Sequence, residues 1–295
     1  MGVRARRLQF NPLDLLLAVE FTLVTFAVHI PWQLGTAGVD AVTYWDAARR
    51  WLAGQDPYAN LGGLVFAAPP PTLAVLAPFS LLPQPAFVAL MFGGSLFAAV
   101  FLLRRLRLPF WYLLFPPLVE GLLVGNPNVI VVALVVMGAP LADAAASFLK
   151  LYAVLPIALL KRTRSLIWVA VLFAITAPFL PWPSYVSHAV ELVNVLNTQS
   201  SGGRSAIAFP LLIPFTILAL VIVGRQRSAW LVVPALWPAT QVHYSLLALP
   251  VAGRLMAGIL AVPLPGAPVA AVLAEAVAVL WRRRQPVGSL TIETG

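Results

Sequence analysis

The sequence predicts an all-α integral membrane protein, and two observations lead to that prediction. The 295 residues are 61% hydrophobic and only 10% charged, with a mean hydropathy of +0.91. A soluble domain has about 25% charged residues, so these charges are too few to cover a surface in water. Long apolar stretches also recur, near the length of about 20 residues that crosses a bilayer. They occupy 11–30, 84–103, 144–160, 165–180, 206–223 and 265–280.

Shorter apolar stretches lie between the long ones, and proline interrupts many of them. The chain has 27 prolines, and the short stretches occupy 71–82, 110–124, 128–139 and 230–263. We therefore expect one transmembrane domain over 1–284 with about eight to ten embedded helices, some half-length or broken by proline. The tail, 285–295, is expected to be cytoplasmic or frayed. Broken helices in membranes line polar cavities, so a buried site is expected as well.

The net charge of +9 is distributed as membrane topology requires, in short basic clusters between apolar stretches. The positive-inside rule places such clusters in the cytoplasm, whereas nucleic-acid binding needs a continuous basic face. We therefore expect a membrane partner and no nucleic acid. The absence of cysteine excludes disulfides and cysteine-ligated metals. The clusters are Arg4–Arg6–Arg7, Arg104–Arg105–Arg107, Lys161–Arg162–Arg164, Arg225–Arg227 and Arg282–Arg283–Arg284.

The first basic cluster places the end of the first helix outside the cell. Segments 31–70 and 181–205 are accordingly predicted to be extracytoplasmic, in a multi-pass protein of the plasma membrane. Within the first segment, 41–53 has the periodicity of a helix lying flat at the membrane surface, with its aromatic residues at headgroup level. Its apolar side would contain Ala41, Tyr44 and Ala48.

Two aspartates accompany this helix and have different local surroundings. Asp46 has Arg49 and Arg50 at i+3 and i+4, so an ion pair within the helix accounts for it. Asp40 has no such partner. Local reasoning leaves two interpretations of Asp40 open, namely the N-cap of the helix or a general base.

Further polar residues stand in apolar surroundings. His243 and Lys150 are ionisable groups within apolar segments, where such groups often mark functional sites, although a lone histidine is more often a hydrogen-bonded packing residue. The segment Gly125-Asn126-Pro127-Asn128 is typical of a turn. No metal-ligand spacing, phosphate loop or nucleophile elbow is present, so no metal or cofactor is predicted.

Six motifs follow one another over about 39–250. They are VDAVTYWDAARRWLAGQDPYAN (39–60), PPPTLAVLAPFSLLP (69–83), GNPN (125–128), AAASFLKLYAVLP (144–156), NTQSSGGR (197–204) and WPATQVHY (237–244). This ordered set resembles family 87 of the glycosyltransferases, membrane enzymes of the GT-C type. Asn126 stands where glutamine is usual in the family.

The resemblance implies a GT-C-like bundle that transfers a sugar, with mannose expected, from a polyprenyl-phosphate donor to an extracytoplasmic lipid or glycan acceptor. Asp40 is implied as the catalytic base of an inverting reaction. Arg204, His243 and Lys150 are implied to hold the phosphate. The full set of implied substrate-binding residues is Tyr44, Asn126, Asn128, Lys150, Gln199, Arg204 and His243.

Two other classes of function remain open. A transporter or lipid flippase would also need charges in the membrane and broken helices, although it would usually show internal repeats, and none is found in this sequence. An inactive membrane scaffold would use Asp40 only as a helix cap. The substitution Asp40→Asn discriminates between these classes, since asparagine caps a helix but cannot act as a general base.

Overall fold

The computed structural model describes residues 11–59, 65–199 and 202–284, and over these residues the chain is helical with no β-strand. Short 3₁₀ or π-helical turns join the α-helices. The α-helices are α1 Pro12–Val24, α2 Ile30–Gln33, α3 Val39–Leu52, α4 Pro71–Ser80, α5 Gln84–Leu106, α6 Pro116–Leu123, α7 Asn128–Met137, α8 Pro140–Leu149, α9 Val154–Leu159, α10 Thr163–Thr176, α11 Trp182–Gln199, α12 Ile213–Val223, α13 Arg225–Leu236, α14 Arg254–Ala261 and α15 Ala267–Arg284.

Two described helices are long and apolar enough to cross a membrane. One is Pro12–Gln33, in which a π-helical turn joins α1 to α2, and the other is α5. Two bent pairs reach the required length only together: α6 with α7 at 120°, and the α10 segment with α11 at 103°. The described residues thus contain two to four spans by length and composition, and the expected bundle of eight to ten embedded helices stays a prediction.

Three of the long apolar stretches differ from a single spanning helix. Stretch 144–160 is interrupted where α8 ends before Lys150, whose backbone is extended. Stretch 206–223 begins with two 3₁₀ turns before α12. The third stretch becomes α15, which runs on through Arg284 and so carries three arginines. The predicted tail, 285–295, and the first basic cluster lie outside the described residues.

The helix predicted at 41–53 is confirmed as α3 but begins two residues earlier. Gly38 precedes it with φ +73°, a left-handed conformation that glycine adopts without penalty. Asp40 is therefore the second residue of the helix, and the N-cap interpretation of Asp40 is wrong. Its carboxylate lies in the first turn, where a negative charge interacts favourably with the helix dipole.

The start of α3 is joined to the end of α6. The amides of Gly38 and Asp40 donate hydrogen bonds to the carbonyls of Leu123 (2.8 Å) and Val124 (2.9 Å). Amides at a helix start and carbonyls at a helix end have no partner within their own helix, so each terminus satisfies the other. This junction fixes the position of Asp40 relative to the turn that follows α6.

The apolar side of α3 faces protein. Ala41, Tyr44 and Ala48 are buried as the periodicity predicted, and α3 packs on α4 and α5. Tyr44 faces protein and not lipid: it is only 5% exposed, and its ring lies 5.2 Å from that of Phe66. The apolar side of α3 is therefore part of the packed interior of the protein. The position of this helix at headgroup level stays a prediction.

Candidate functional site

A cavity of about 220 Å³ lies beside the junction of α3 and α6. It reaches the surface, since Trp32 and Thr36 in its lining are exposed. Its polar lining comes from segments far apart in the sequence, including five residues that sequence analysis proposed for the site. The polar lining residues are Gln33, Thr36, Asp40, Thr43, Tyr44, Glu120, Asn126, Lys150, Gln241, His243 and Tyr244.

Asp40 is held by the turn predicted at 125–128, which the structure confirms. Asn126 donates a hydrogen bond from Nδ2 to Oδ2 of Asp40 at 2.6 Å. The amide of Asn128 donates to Oδ1 of Asn126 (3.0 Å), which fixes the orientation of the Asn126 side chain. Asp40 thus keeps its second carboxylate oxygen, Oδ1, without a hydrogen-bond partner among the described residues, so that oxygen is available to a ligand.

Asp46 has the partner that its position predicted. Its Oδ2 lies 2.9 Å from Nε of Arg50, one helical turn later. The neighbouring Arg49 places its guanidinium 5.0 Å from the centroid of the Trp45 ring. Of the two aspartates, only Asp40 faces the cavity.

Lys150 enters the cavity because the chain breaks its helix there. Its backbone is extended, between α8 and the 3₁₀ turn Leu151–Ala153, and its ammonium lies 5.4 Å from the centroid of the Tyr44 ring. Burial raises the pKa of Tyr44 well above its usual range, and the nearby charge of Asp40 raises it further. The phenol therefore stays protonated and can donate a hydrogen bond.

His243 lies on a 3₁₀ turn, Val242–Ala248, that packs against α6 and α7. Its Nδ1 is 3.4 Å from Oε1 of Glu120. The other carboxylate oxygen of Glu120, Oε2, is 3.5 Å from Nδ1 of His29 on the first span. All three side chains are almost completely buried. Glu120 and His243 line the cavity, and His29 lies on the other side of Glu120.

Of the predicted substrate-binding residues that the structure describes, Asn128 and Arg204 do not line the cavity. Asn128 lies one layer behind it and accepts a hydrogen bond from the hydroxyl of Tyr152. Arg204 donates to the carbonyl of Asn197 at 3.1 Å. Its neighbour Gly203 packs against the backbone that leads to His243. The side chain of Gln199, like residues 200–201 of the same motif, lies outside the described residues.

Sequence reasoning did not assign Glu120 and His29 to the site. Both are polar residues in apolar stretches, where an ionisable group is expensive and so marks a site. That signal was present for both residues. Their pairing with His243 was not predictable, because Glu120 and His243 are 123 residues apart.

The two polar segments that share the predicted extracytoplasmic side touch each other. The hydroxyl of Ser184 donates to Oδ1 of Asp56 at 2.6 Å, and the rings of Tyr58 and Tyr185 are 5.3 Å apart. Burial raises the pKa of Asp56, but the hydrogen bonds from Ser184 and from the amide of Tyr58 outweigh it and lower the pKa below its ordinary value. Two loop segments that touch lie on the same side of the membrane, so this contact agrees with the prediction that the segments share a side.

Comparison of the chain with known proteins adds no neighbour. No family model, curated protein or solved structure matches it. Within the described residues, no group of three or more His, Cys, Asp or Glu side chains is arranged to hold a metal ion. The described cavity lining offers two carboxylates (Asp40 and Glu120), an amine (Lys150), an imidazole (His243) and several neutral hydrogen-bonding groups.

Proposed function

We propose that the protein is an inverting membrane glycosyltransferase that uses a polyprenyl-phosphate sugar, with mannose as the expected sugar. The supporting observation is the cavity that holds Asp40 together with Lys150 and His243. A carboxylate with one unpartnered oxygen suits proton abstraction, and two nitrogen bases that can be cationic suit a phosphate. The GT-C-like fold, the plasma membrane and the extracytoplasmic active face belong to the same proposal.

In the proposed reaction, Oδ1 of Asp40 takes the proton from a hydroxyl of the acceptor. The hydroxyl oxygen attacks C1 of the sugar as the bond from C1 to the phosphate oxygen breaks, and the electron pair of that bond stays on the phosphate. A phosphate is a good leaving group, so one carboxylate suffices where glycosidases use two. Lys150 and His243 stabilise the charge that develops on the phosphate.

Asn126 orients the Asp40 carboxylate for this step. Its hydrogen bond occupies Oδ2, so the carboxylate cannot rotate freely and presents Oδ1 to the acceptor. Fixed geometry of this kind contributes to catalysis because the reacting groups need no further ordering. Tyr44, protonated and adjacent to Lys150, would donate a hydrogen bond to the substrate.

The decisive experiment measures transfer of labelled sugar from a panel of polyprenyl-phosphate sugars in membranes that contain the protein. We expect transfer from one donor to a lipid or glycan that is recovered in the membrane fraction. Movement of the intact lipid-linked sugar across the bilayer without transfer would support the flippase alternative. The absence of both activities in folded protein would support the inactive scaffold.

The role of Asp40 is tested by the pair Asp40→Asn and Asp46→Asn. Removing a general base typically lowers the rate about 10²–10⁴-fold, so Asp40→Asn should lose nearly all transfer while its folding is kept. Asp46→Asn removes only a partly exposed ion pair with Arg50 and should stay active. Transfer is normalised to folded protein, and an active Asp40→Asn enzyme would exclude Asp40 as the base.

A further inference from the structure

The buried cluster of His29, Glu120 and His243 is not explained by the proposed reaction steps alone. Its three members come from the first span, from α6 and from the 3₁₀ turn near the end of the chain. A carboxylate away from water is costly unless charged or hydrogen-bonding groups compensate it. Each oxygen of Glu120 has a histidine Nδ1 in front of it, at 3.4 Å and 3.5 Å.

The form of the Glu120 carboxyl group determines which ring atoms carry hydrogen. An ionised carboxylate can only accept hydrogen bonds, so with Glu120 ionised each Nδ1 that faces it would carry a hydrogen. The two distances exceed the usual 2.7–3.2 Å of such a bond. Hydrogen bonds in unliganded active sites are often long and shorten when the ligand is bound.

The second ring nitrogen of these two histidines, Nε2, lacks a partner in the part of the chain that the structure describes. Nε2 of His243 and Nε2 of His29 are buried and have no hydrogen-bond partner among the described residues. Buried polar atoms nearly always have a partner. Because His243 lines the cavity, the missing partner of its Nε2 is best supplied by a group that enters that cavity.

We propose that Glu120 is a positioning residue for His243: its ionised carboxylate accepts the Nδ1 hydrogens of His243 and His29 together, which orients His243 so that Nε2 serves an anionic group in the cavity. The anionic group is the donor phosphate, and this consequence rests on the proposed function. The arrangement of hydrogens does not.

The arrangement is tested by NMR of ring-labelled histidine in the full-length protein in lipid bilayers. The chain has only three histidines, so the variants His29→Gln, His188→Gln and His243→Gln assign the signals. In the wild type, we expect a hydrogen on Nδ1 of both His29 and His243. A bare Nδ1 on either ring would mean that Glu120 donates rather than accepts, and would overturn the proposal without any mutation of Glu120.

The variant Glu120→Gln tests whether Glu120 determines which ring nitrogens carry hydrogen. Glutamine has one accepting oxygen and one donating amide group, so it can satisfy one Nδ1–H but needs a bare nitrogen on the other ring. We therefore expect one of the two rings to lose its Nδ1 hydrogen while His188 is unchanged. Retention of both Nδ1 hydrogens would show that Glu120 does not set them.

The functional consequence is measured as kcat and KM for the donor. Loss of a group that orients a metal-binding histidine typically costs about 10–100-fold. We expect a decrease of that order in kcat/KM for the donor, since the phosphate and the charge that develops on it are both held less well. Glu191→Gln, the same substitution at an exposed site on α11, should leave kcat/KM unchanged. An unchanged kcat/KM in Glu120→Gln would overturn the link to anion binding. Absence of transfer in the wild type would instead refute the proposed function and leave the histidine spectra to decide the arrangement.

Discussion

The orientation of Asp40 depends on a single side chain. Its Oδ2 accepts a hydrogen bond from Asn126, which is 86 residues away in the sequence. Asp46, by contrast, pairs with Arg50, which lies one turn away in the same helix. The ion pair therefore forms within one helix, whereas the contact that orients Asp40 requires the tertiary fold.

The hydrogen bond from Asn126 to Asp40 gives a prediction at this scale. Hydrogen bonds to charged groups contribute about 1.5–3 kcal/mol, and loss of that order in the transition state lowers the rate at least about tenfold. We expect Asn126→Ala to lower kcat for sugar transfer by about that factor, measured per folded protein because the variant also removes the acceptor of the buried Asn128 amide. Asn194→Ala, at an exposed position of α11, is the matched control. Equal activities of the two variants would contradict a positioning role for Asn126.

Among the helices, α3 and α5 could be predicted from the sequence within a few residues, but helix length was overestimated elsewhere. Local spacing also singled out Asp40 by its lack of a neighbouring partner, although it could not reveal the contact with Asn126. The 144–160 stretch is apolar apart from Ser147 and Lys150, and hydropathy alone predicts one helix. The helix ends there because the backbone of Lys150 is extended. This conformation brings the Lys150 side chain into the polar cavity. Periodicity cannot report such a break, since a polar cavity is formed by several helices together.

The junction of α3 and α6 depends on a close approach at Gly125. This glycine has φ +71°, and a Cβ placed on it would lie 2.7 Å from the Cβ of Ala41. We expect Gly125→Ala to displace α3, to lower thermal stability and to reduce transfer sharply because Asp40 moves with α3.

Gly54→Ala separates this clash from backbone strain. Gly54 has φ +72° and no heavy atom within 4 Å of an added Cβ, so its substitution carries only the strain of a left-handed residue, about 1–2 kcal/mol. Thermal denaturation in detergent and transfer are measured for both variants. If Gly54→Ala is as inactive as Gly125→Ala, close packing at the junction is not what positions Asp40.

A buried ion pair holds α8 to the start of α10. Asp143 is fully buried and lies 2.9 Å from Arg162, and Ser165 donates to the same carboxylate at 2.6 Å. Removing the arginine leaves a buried charge without its counter-charge, which typically costs about 3–5 kcal/mol.

We therefore expect Arg162→Gln to lower the thermal unfolding temperature far more than Arg254→Gln. Arg254 also pairs with an aspartate, Asp14, but in that pair both side chains are largely exposed and water screens their attraction. Circular dichroism during heating in detergent gives both unfolding temperatures. Similar small shifts in the two variants would mean that water reaches Asp143.

Over the whole molecule, the two polar segments and the cavity lie together although the segments are far apart in sequence. Asp56 contacts Ser184, and Tyr58 contacts Tyr185. The cavity is lined from the first polar segment by Asp40 and from the second by Leu196. The charge clusters alone predicted that the two segments share one side of the membrane. Because the segments are in contact, an experiment that locates one of them also locates the other.

The last prediction is that this shared side faces outward, and it is tested in a chain that has no cysteine of its own. Gln55 and Ser187 are exposed positions in the two polar segments, and Arg105 is exposed at the end of α5 within a basic cluster. Because arginine clusters stay on the cytoplasmic side, Gln55→Cys and Ser187→Cys should react with an impermeant thiol reagent in intact cells. Arg105→Cys should react only after the membrane is disrupted. If only one of Gln55→Cys and Ser187→Cys reacted in intact cells, the result would be incompatible with the contact between the segments. If both reacted only after the membrane was disrupted, the cavity would lie on the cytoplasmic side.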